Sequence, residues 1–245
     1  MEEWKQRTAL LMGDEGVERL QRAHVLVAGV GGVGSWAAEM LCRAGVGRLT
    51  LVDADTVAAS NINRQLPALH STVGRPKVEV MARRLLDINP SLQLRAEALY
   101  LQEENIGPLL DECRPDFVVD AIDTLRPKCL LIAGALERRM GIVSSMGAGA
   151  KVDVSQVRLS NLWDTYHCAL SRSVRRQLRQ MGLGRCRLPV VFSTEQAAPQ
   201  AVVCVEGERH KKSTCGTVSY LPAVFGCFLA EYVVRKLVTA RPGIQ

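Results

Sequence analysis

The stretch AHVLVAGVGGVGSWAAEMLCRAGVGRLTLVDAD, residues 23–55, constrains the fold more than any other part of the chain. An apolar run from Val25 to Ala28 meets Gly29, Gly31, Gly32 and Gly34; a helical period over Trp36 to Ala44 follows, then a second apolar run from Arg48 to Val52. Strand, glycine turn, helix and strand in that order open a parallel, doubly wound sheet. The glycines let backbone N–H groups approach a phosphate at a helix N-terminus. Asp53, 24 residues after Gly29, stands where a carboxylate accepts hydrogen bonds from ribose hydroxyls. Alone, this pattern specifies an adenine nucleotide, of which NAD is the commonest.

The remaining sequence extends the same architecture. TVGRPKVEVMARRLLDINP reads as a helix with Pro76 in its first turn, and DFVVDAID, Asp116 to Asp123, as an apolar strand ending in two aspartates. A helix near Pro127 to Arg139 leads to GIVSSMGAGAK, a buried strand with a glycine-rich exit. Further on, VRLS and VVCVE suggest strands, and helices are expected near Ser171 to Gly182 and from about Pro222 to Val238. The expected fold is α/β: a doubly wound, mostly parallel Rossmann-like sheet with helices on both faces and an irregular C-terminal extension. Its 245 residues make one domain, with a nucleotide-binding core over 1–149 and a substrate- and dimer-facing part over 150–245. Apolar residues at 47% with aromatics at only 4% suit aliphatic helix-on-sheet packing.

Eight cysteines are scattered without a CxxC pair, which argues against a disulfide framework and a four-cysteine zinc site and for free thiols in a reducing cytoplasm. VSYLPAVFGCFLA, Val218 to Ala230, is shorter than a membrane span and reads as a buried or dimer-facing helix.

The residues after Asp53 separate nucleotide chemistries. Asp55, Asn61, Asn63, Arg64 and Gln65 follow within DADTVAASNINRQ, and Lys77 opens the next helix. Hydride transfer leaves a pyrophosphate intact and needs no dense neutralising cluster. Cleaving ATP between its α- and β-phosphates does, because the leaving pyrophosphate develops charge. The planar fork of Arg64 and the point charge of Lys77 suit the β- and γ-phosphates, with Asn61, Asn63 and Gln65 as neutral donors. Asp123, at the C-terminal end of a parallel strand, is placed to hold Mg2+.

GVGGVGSW, DADTVAASNINRQ, VGRPK and DAID together resemble the ubiquitin-activating enzyme-like adenylyltransferases, which use ATP to adenylate a carboxylate. The resemblance implies that Asp53 holds the ribose, Arg64 and Lys77 the phosphates, and Asp123 a magnesium ion. It also implies that Arg7, in QRTALLMG, enters the ATP site of a second subunit, hence a homodimer. Over nearly the full length, NRQLPAL, VVDAIDTLRPK, SSMGAGAK, VVFSTE and KKSTCGTVSYLPAVFG are similar to the tRNA-modifying branch of that superfamily. That branch implies cyclisation, with loss of water, of the threonylcarbamoyl group on the adenosine beside the anticodon. It further implies a monovalent cation, Na+ or K+, and a cysteine desulfurase with its sulfur acceptor, neither of which the residue pattern locates.

The second half adds a feature of its own. No acidic residue occurs from Thr165 to Thr194, while Arg172, Arg175, Arg176 and Arg179 share one face of the expected helix, opposite Leu170, Val174, Leu178 and Met181. Such a stripe suits phosphate-backbone contact with tRNA, and ERHKK, Glu208 to Lys212, adds a second basic cluster. Three alternatives remain open at this level: an activator of a ubiquitin-like sulfur carrier, a non-catalytic sulfur-relay or nucleotide-sensing partner, and a nicotinamide dehydrogenase.

Overall fold

The computed structural model describes residues 2–204 and 213–239. The ERHKK cluster and the end of VVCVE lie outside these residues.

Seven strands form the main sheet: β1 (His24–Ala28), β2 (Arg48–Val52), β3 (Gln93–Glu97), β4 (Phe117–Asp120), β5 (Gly141–Ser145), β6 (Val157–Asn161) and β7 (Pro189–Ser193), in the order β3-β2-β1-β4-β5-β7-β6. All neighbours run parallel except β6, which pairs antiparallel with β7. A short antiparallel pair, β8 (Val202–Cys204) and β9 (Ser213–Cys215), stands apart. Strand order therefore reverses at β1, the crevice where open α/β sheets bind ligands.

The helices are α1 (Gln6–Arg22), α2 (Gly34–Ala44), α3 (Lys77–Ile88), α4 (Glu103–Cys113), α5 (Leu125–Glu137), α6 (Ala169–Gln180) and α7 (Tyr220–Thr239). Alternation along the buried strands divides the core. Val25 and Val27 of β1 face a cluster with Leu49, Val119, Val143 and the α7 residues Leu221, Phe225 and Leu229. Leu26 and Ala28 face the other layer, with Leu110 of α4, Ile132 of α5 and Leu178 of α6. Two-sided burial explains why these strands are continuous apolar runs instead of alternating ones.

Some elements depart from the expected bounds. The apolar strand that reads as far as Asp123 ends at Asp120, so Ala121 to Asp123 form the loop beyond the sheet edge. Pro76 caps α3 from outside, its φ of −57° preparing the first turn without occupying it. α1, β3, α4 and β7 complete the layers; α1 bends at Gly13, whose φ is +77°. The long apolar stretch near the C-terminus becomes α7, whose inner face packs on α2 and the sheet. Among the described residues no helix is long and apolar enough to cross a membrane.

Candidate active site

The C-terminal ends of the six parallel strands place their loops on one edge, and the glycine turn after β1 lies at its centre. Gly29 has φ +84°, and a Cβ there would lie 2.8 Å from the carbonyl oxygen of Ala121. At Gly34 a Cβ would collide with the carbonyl oxygen of Gly29. The turn is thus compressed between α2 and the loop after β4, which only glycine permits. Asp53 braces it from the side: its Oδ2 accepts the Val30 N–H at 2.8 Å and its Oδ1 the Asp55 N–H at 2.8 Å. Burial raises the Asp53 pKa, opposed by the positive charge of Lys77 and by the two backbone donors.

The residues expected to handle phosphate gather around this turn. Gln65 is buried with its amide 3.6 Å from where a Gly31 Cβ would stand, and Arg64 Cγ lies 3.5 Å from the corresponding point on Gly32. Arg64 Nη1 donates to Asn63 Oδ1 at 2.9 Å and to the Ser60 carbonyl at 3.0 Å, so Asn63 orients the guanidinium. Asn63 in turn donates to the Thr217 carbonyl at 2.8 Å, joining the loop to the segment before α7. Lys77, almost wholly buried, pairs with exposed Asp55 at 2.7 Å. Asn61 accepts the Ala58 N–H on its side-chain Oδ1 at 3.1 Å, closing a 3₁₀ turn. Asp123 is exposed just past β4 and accepts from the Thr124 hydroxyl at 3.4 Å.

Gln65 Oε1 is buried without a hydrogen-bond partner. A buried acceptor beside a glycine turn suits a ligand that brings hydroxyl donors, and the amide turned over suits a phosphate. Among the described residues no group of three or more His, Cys, Asp or Glu could hold a metal ion. A magnesium ion at Asp123 would therefore draw most of its oxygen ligands from phosphates and water, its usual mode beside a nucleotide.

Two predicted groups lie away from the turn. Arg7 is exposed in the first turn of α1, just before Leu10 and Leu11, which are 88% and 81% exposed. The α6 stripe is divided. Arg172, Arg176 and Arg179 are exposed, but Arg175 turns inward: its Nη1 donates to the Thr165 carbonyl at 2.8 Å and the Leu162 carbonyl at 3.2 Å. Arg175 thus ties α6 to the 3₁₀ turn Leu162–Asp164, and the common face holds three arginines instead of four. Arg179 lies over the Trp163 ring at 5.2 Å.

Sequence reasoning missed several features of this edge. The buried ammonium of Lys151 donates to the Ser193 carbonyl at 2.8 Å, and burial lowers its pKa. A cleft of about 540 Å3 opens at the starts of α4 and α5, lined by Tyr100, Leu101, Thr124 and Leu125 among others. Exposed Cys215 backs onto Gly149 of the β5 exit, where a Cβ would lie 2.7 Å from its own. Burial pushes two thiols up, Cys42 to about 11 and Cys129 to about 12, which keeps both protonated. No local spacing signals these contacts; each joins segments distant in sequence.

The fold agrees with comparison to known proteins. The ThiF family model matches residues 5–244, and the chain belongs to that family. The tRNA threonylcarbamoyladenosine dehydratase of Bacillus subtilis is 38% identical, covering 94% of this chain and 93% of its own. The enzyme of the same name from Escherichia coli is 34% identical, covering 98% and 97%. A solved structure of the E. coli dehydratase in complex with ATP superposes with a TM-score of 0.87 at 33% identity, covering 98% of this chain and 96% of that one.

Proposed function

We propose that this chain is an ATP-dependent tRNA threonylcarbamoyladenosine dehydratase. The carrying observation is the gathering of Asp53, Arg64, Gln65 and Lys77 around one compressed glycine turn, in a chain alike to dehydratases over nearly its whole length.

The side-chain carboxylate of the threonylcarbamoyl group attacks the α-phosphate of ATP, forming an acyl-adenylate and releasing pyrophosphate. The carbamoyl group of the same side chain then closes on the activated carbonyl and expels AMP. Because that nucleophile is tethered, an effective molarity of ~10⁵ M or more replaces an enzyme nucleophile. Backbone N–H groups of the Gly29–Gly34 turn and Gln65 bind the nucleotide, with Asp53 on the ribose and the cleft at Leu101 and Leu125 receiving the adenine. Arg64, oriented by Asn63, and Lys77, released from Asp55, stabilise the departing pyrophosphate. Asp123 would hold a magnesium ion, which would supply further positive charge to the polyphosphate.

The same reading makes residues 1–149 the nucleotide core and 150–245 the part facing substrate. Arg172, Arg176 and Arg179 position the tRNA through its phosphates. The neighbouring Leu10 and Leu11 support a homodimer in which Arg7 serves the partner's ATP site, because adjacent leucines this exposed favour burial against a second copy. A monovalent cation, a cytoplasmic location and a cysteine desulfurase partner complete the proposal.

The test is to incubate the protein with ATP and tRNA bearing the threonylcarbamoyl group, following AMP and the loss of one water from the nucleoside. Turnover that requires a ubiquitin-like protein instead of tRNA would replace this reading with sulfur-carrier activation. Nucleotide binding without AMP release would defeat both.

A further inference from the structure

We propose that Tyr166 and His167 form a stacking platform for an unpaired RNA base beside the reacting adenosine. The proposal rests on the tRNA reading above and adds a base-binding site to a surface that otherwise grips phosphate.

Tyr166 is 51% exposed, yet its ring is fixed. It meets buried Phe192 edge to face at 5.6 Å and 77°, and His167 at 5.0 Å and 85°. His167 adopts φ +53°, a left-handed conformation that a residue with a Cβ rarely takes. It is held there by its own ring: Nδ1–H donates to the Thr194 carbonyl at 2.9 Å, and Nε2 faces the Gln196 amide at 3.4 Å. Strained backbone persists where surrounding contacts over-determine it, and such positions cluster at functional sites.

The support beneath the platform is rigid. Glu195 accepts the Val152 and Asp153 N–H groups, and its own N–H donates to Ser193 Oγ at 3.2 Å. Buried Lys151 closes the same clasp on the Ser193 carbonyl. Segment 193–196 is thereby tied to the glycine-rich exit of β5. Because β7 is parallel to β5, Thr194 leaves the sheet on the edge that carries the glycine turn and Asp123. Two residues after His167, α6 begins, bearing exposed Arg172 and Arg176.

An exposed aromatic ring between a nucleotide-binding edge and a cationic helix has the composition of a single-stranded RNA site. The ring stacks a splayed base while neighbouring arginines hold the backbone. A second copy of this chain is the less fitting occupant, since it would bring its own arginine stripe against this one.

The experiment measures binding of threonylcarbamoyl-bearing tRNA, and KM and kcat for its ATP-dependent AMP release, for the parent, Tyr166→Ala, Tyr166→Phe and Arg176→Ala. Tyr166→Ala should weaken tRNA binding about 5- to 150-fold, as loss of one stacked base does. The loss should be the same at every salt concentration, because stacking releases no counterions. Tyr166→Phe should behave as the parent. Arg176→Ala should instead reduce the salt slope. ATP affinity should be unchanged in Tyr166→Ala. If the parent turns over and Tyr166→Ala keeps the parental KM and Kd, the platform is wrong although the dehydratase reading stands. A change confined to sedimentation would assign Tyr166 to a subunit contact and likewise overturn it. If the parent itself releases no AMP, the functional reading fails first, and the binding arm alone decides the platform.

Discussion

The ammonium of Lys128 lies 2.7 Å from the carboxylate of Asp120, and both side chains are completely buried. Ser144 donates to the same oxygen at 2.5 Å, and the other oxygen accepts the Ile122 N–H at 3.1 Å. This network sits under the loop after β4. Ala121, held between Asp120 and Ile122, is the residue pressed against the Gly29 turn, and Asp123 follows shortly after it. A buried ion pair contributes little net stability relative to apolar packing, so its value here lies in fixing the loop.

Lys128→Met should leave a buried unpaired carboxylate and cost about 3–5 kcal/mol in denaturant unfolding. Adding Asp120→Leu should recover much of that loss. The double variant should still release AMP at least about tenfold more slowly, because a loss of positioning near the reacting groups costs rate even in a folded enzyme. Full recovery of both stability and rate would show that the pair has no role in placing the loop.

Arg64→Ala should lower AMP formation by about two to three orders of magnitude, the usual cost of removing one preorganised charge donor, while the sheet stays folded. Circular dichroism together with single-turnover AMP release separates these effects. Wild-type rates in this variant would rule out a phosphate role for the guanidinium.

The two kinds of arginine on α6 should respond differently. Arg172→Ala with Arg176→Ala should flatten the salt dependence of tRNA binding by about 0.9 for each phosphate that the two guanidinium groups neutralise, and leave the melting temperature alone. Arg175→Ala should instead destabilise the fold by about 1–3 kcal/mol, since it strips the Leu162 and Thr165 carbonyls of a charged donor. Equal behaviour of the two variants would contradict the division of the stripe.

Arg7→Ala and Lys77→Ala should each be inactive as pure proteins. If Arg7 serves the partner's site, mixed dimers carry one site with both residues intact, and mixing the two inactive proteins should restore about a quarter of the wild-type rate. A mixture that exchanges subunits but stays inactive would place both residues in the same subunit's site.

His24 is buried against Thr50, and burial, aided by the Arg48 charge, lowers its pKa below the ordinary 6.5. The unfolded chain therefore binds a proton first as pH falls. Stability should be lost as pH drops from 6.5 toward the lower folded value and should level off below it. His24→Leu should abolish that slope, measurable by urea unfolding across the window.

The local code of the chain determined the glycine turn, the buried strands around it, α3, α6 and the apolar helix near the C-terminus. Each rests on periodicity or backbone freedom that a short window contains. Weaker signals hid the rest. β3 reads QLRAE with a single large apolar residue, α4 carries Pro108, and α1 is broken by Gly13. What only tertiary structure decided is the assignment of like residues to unlike tasks. Asp120 and Asp123 stand three positions apart in one motif, yet one is sealed against Lys128 and the other faces solvent. Arg175 and Arg176 are neighbours, yet one satisfies carbonyls from another element and the other is exposed toward solvent. Residue type and spacing dictate which chemistry is available along a segment. Burial and hydrogen-bond partners come from segments far away in the chain, and those contacts decide which of two identical side chains performs it.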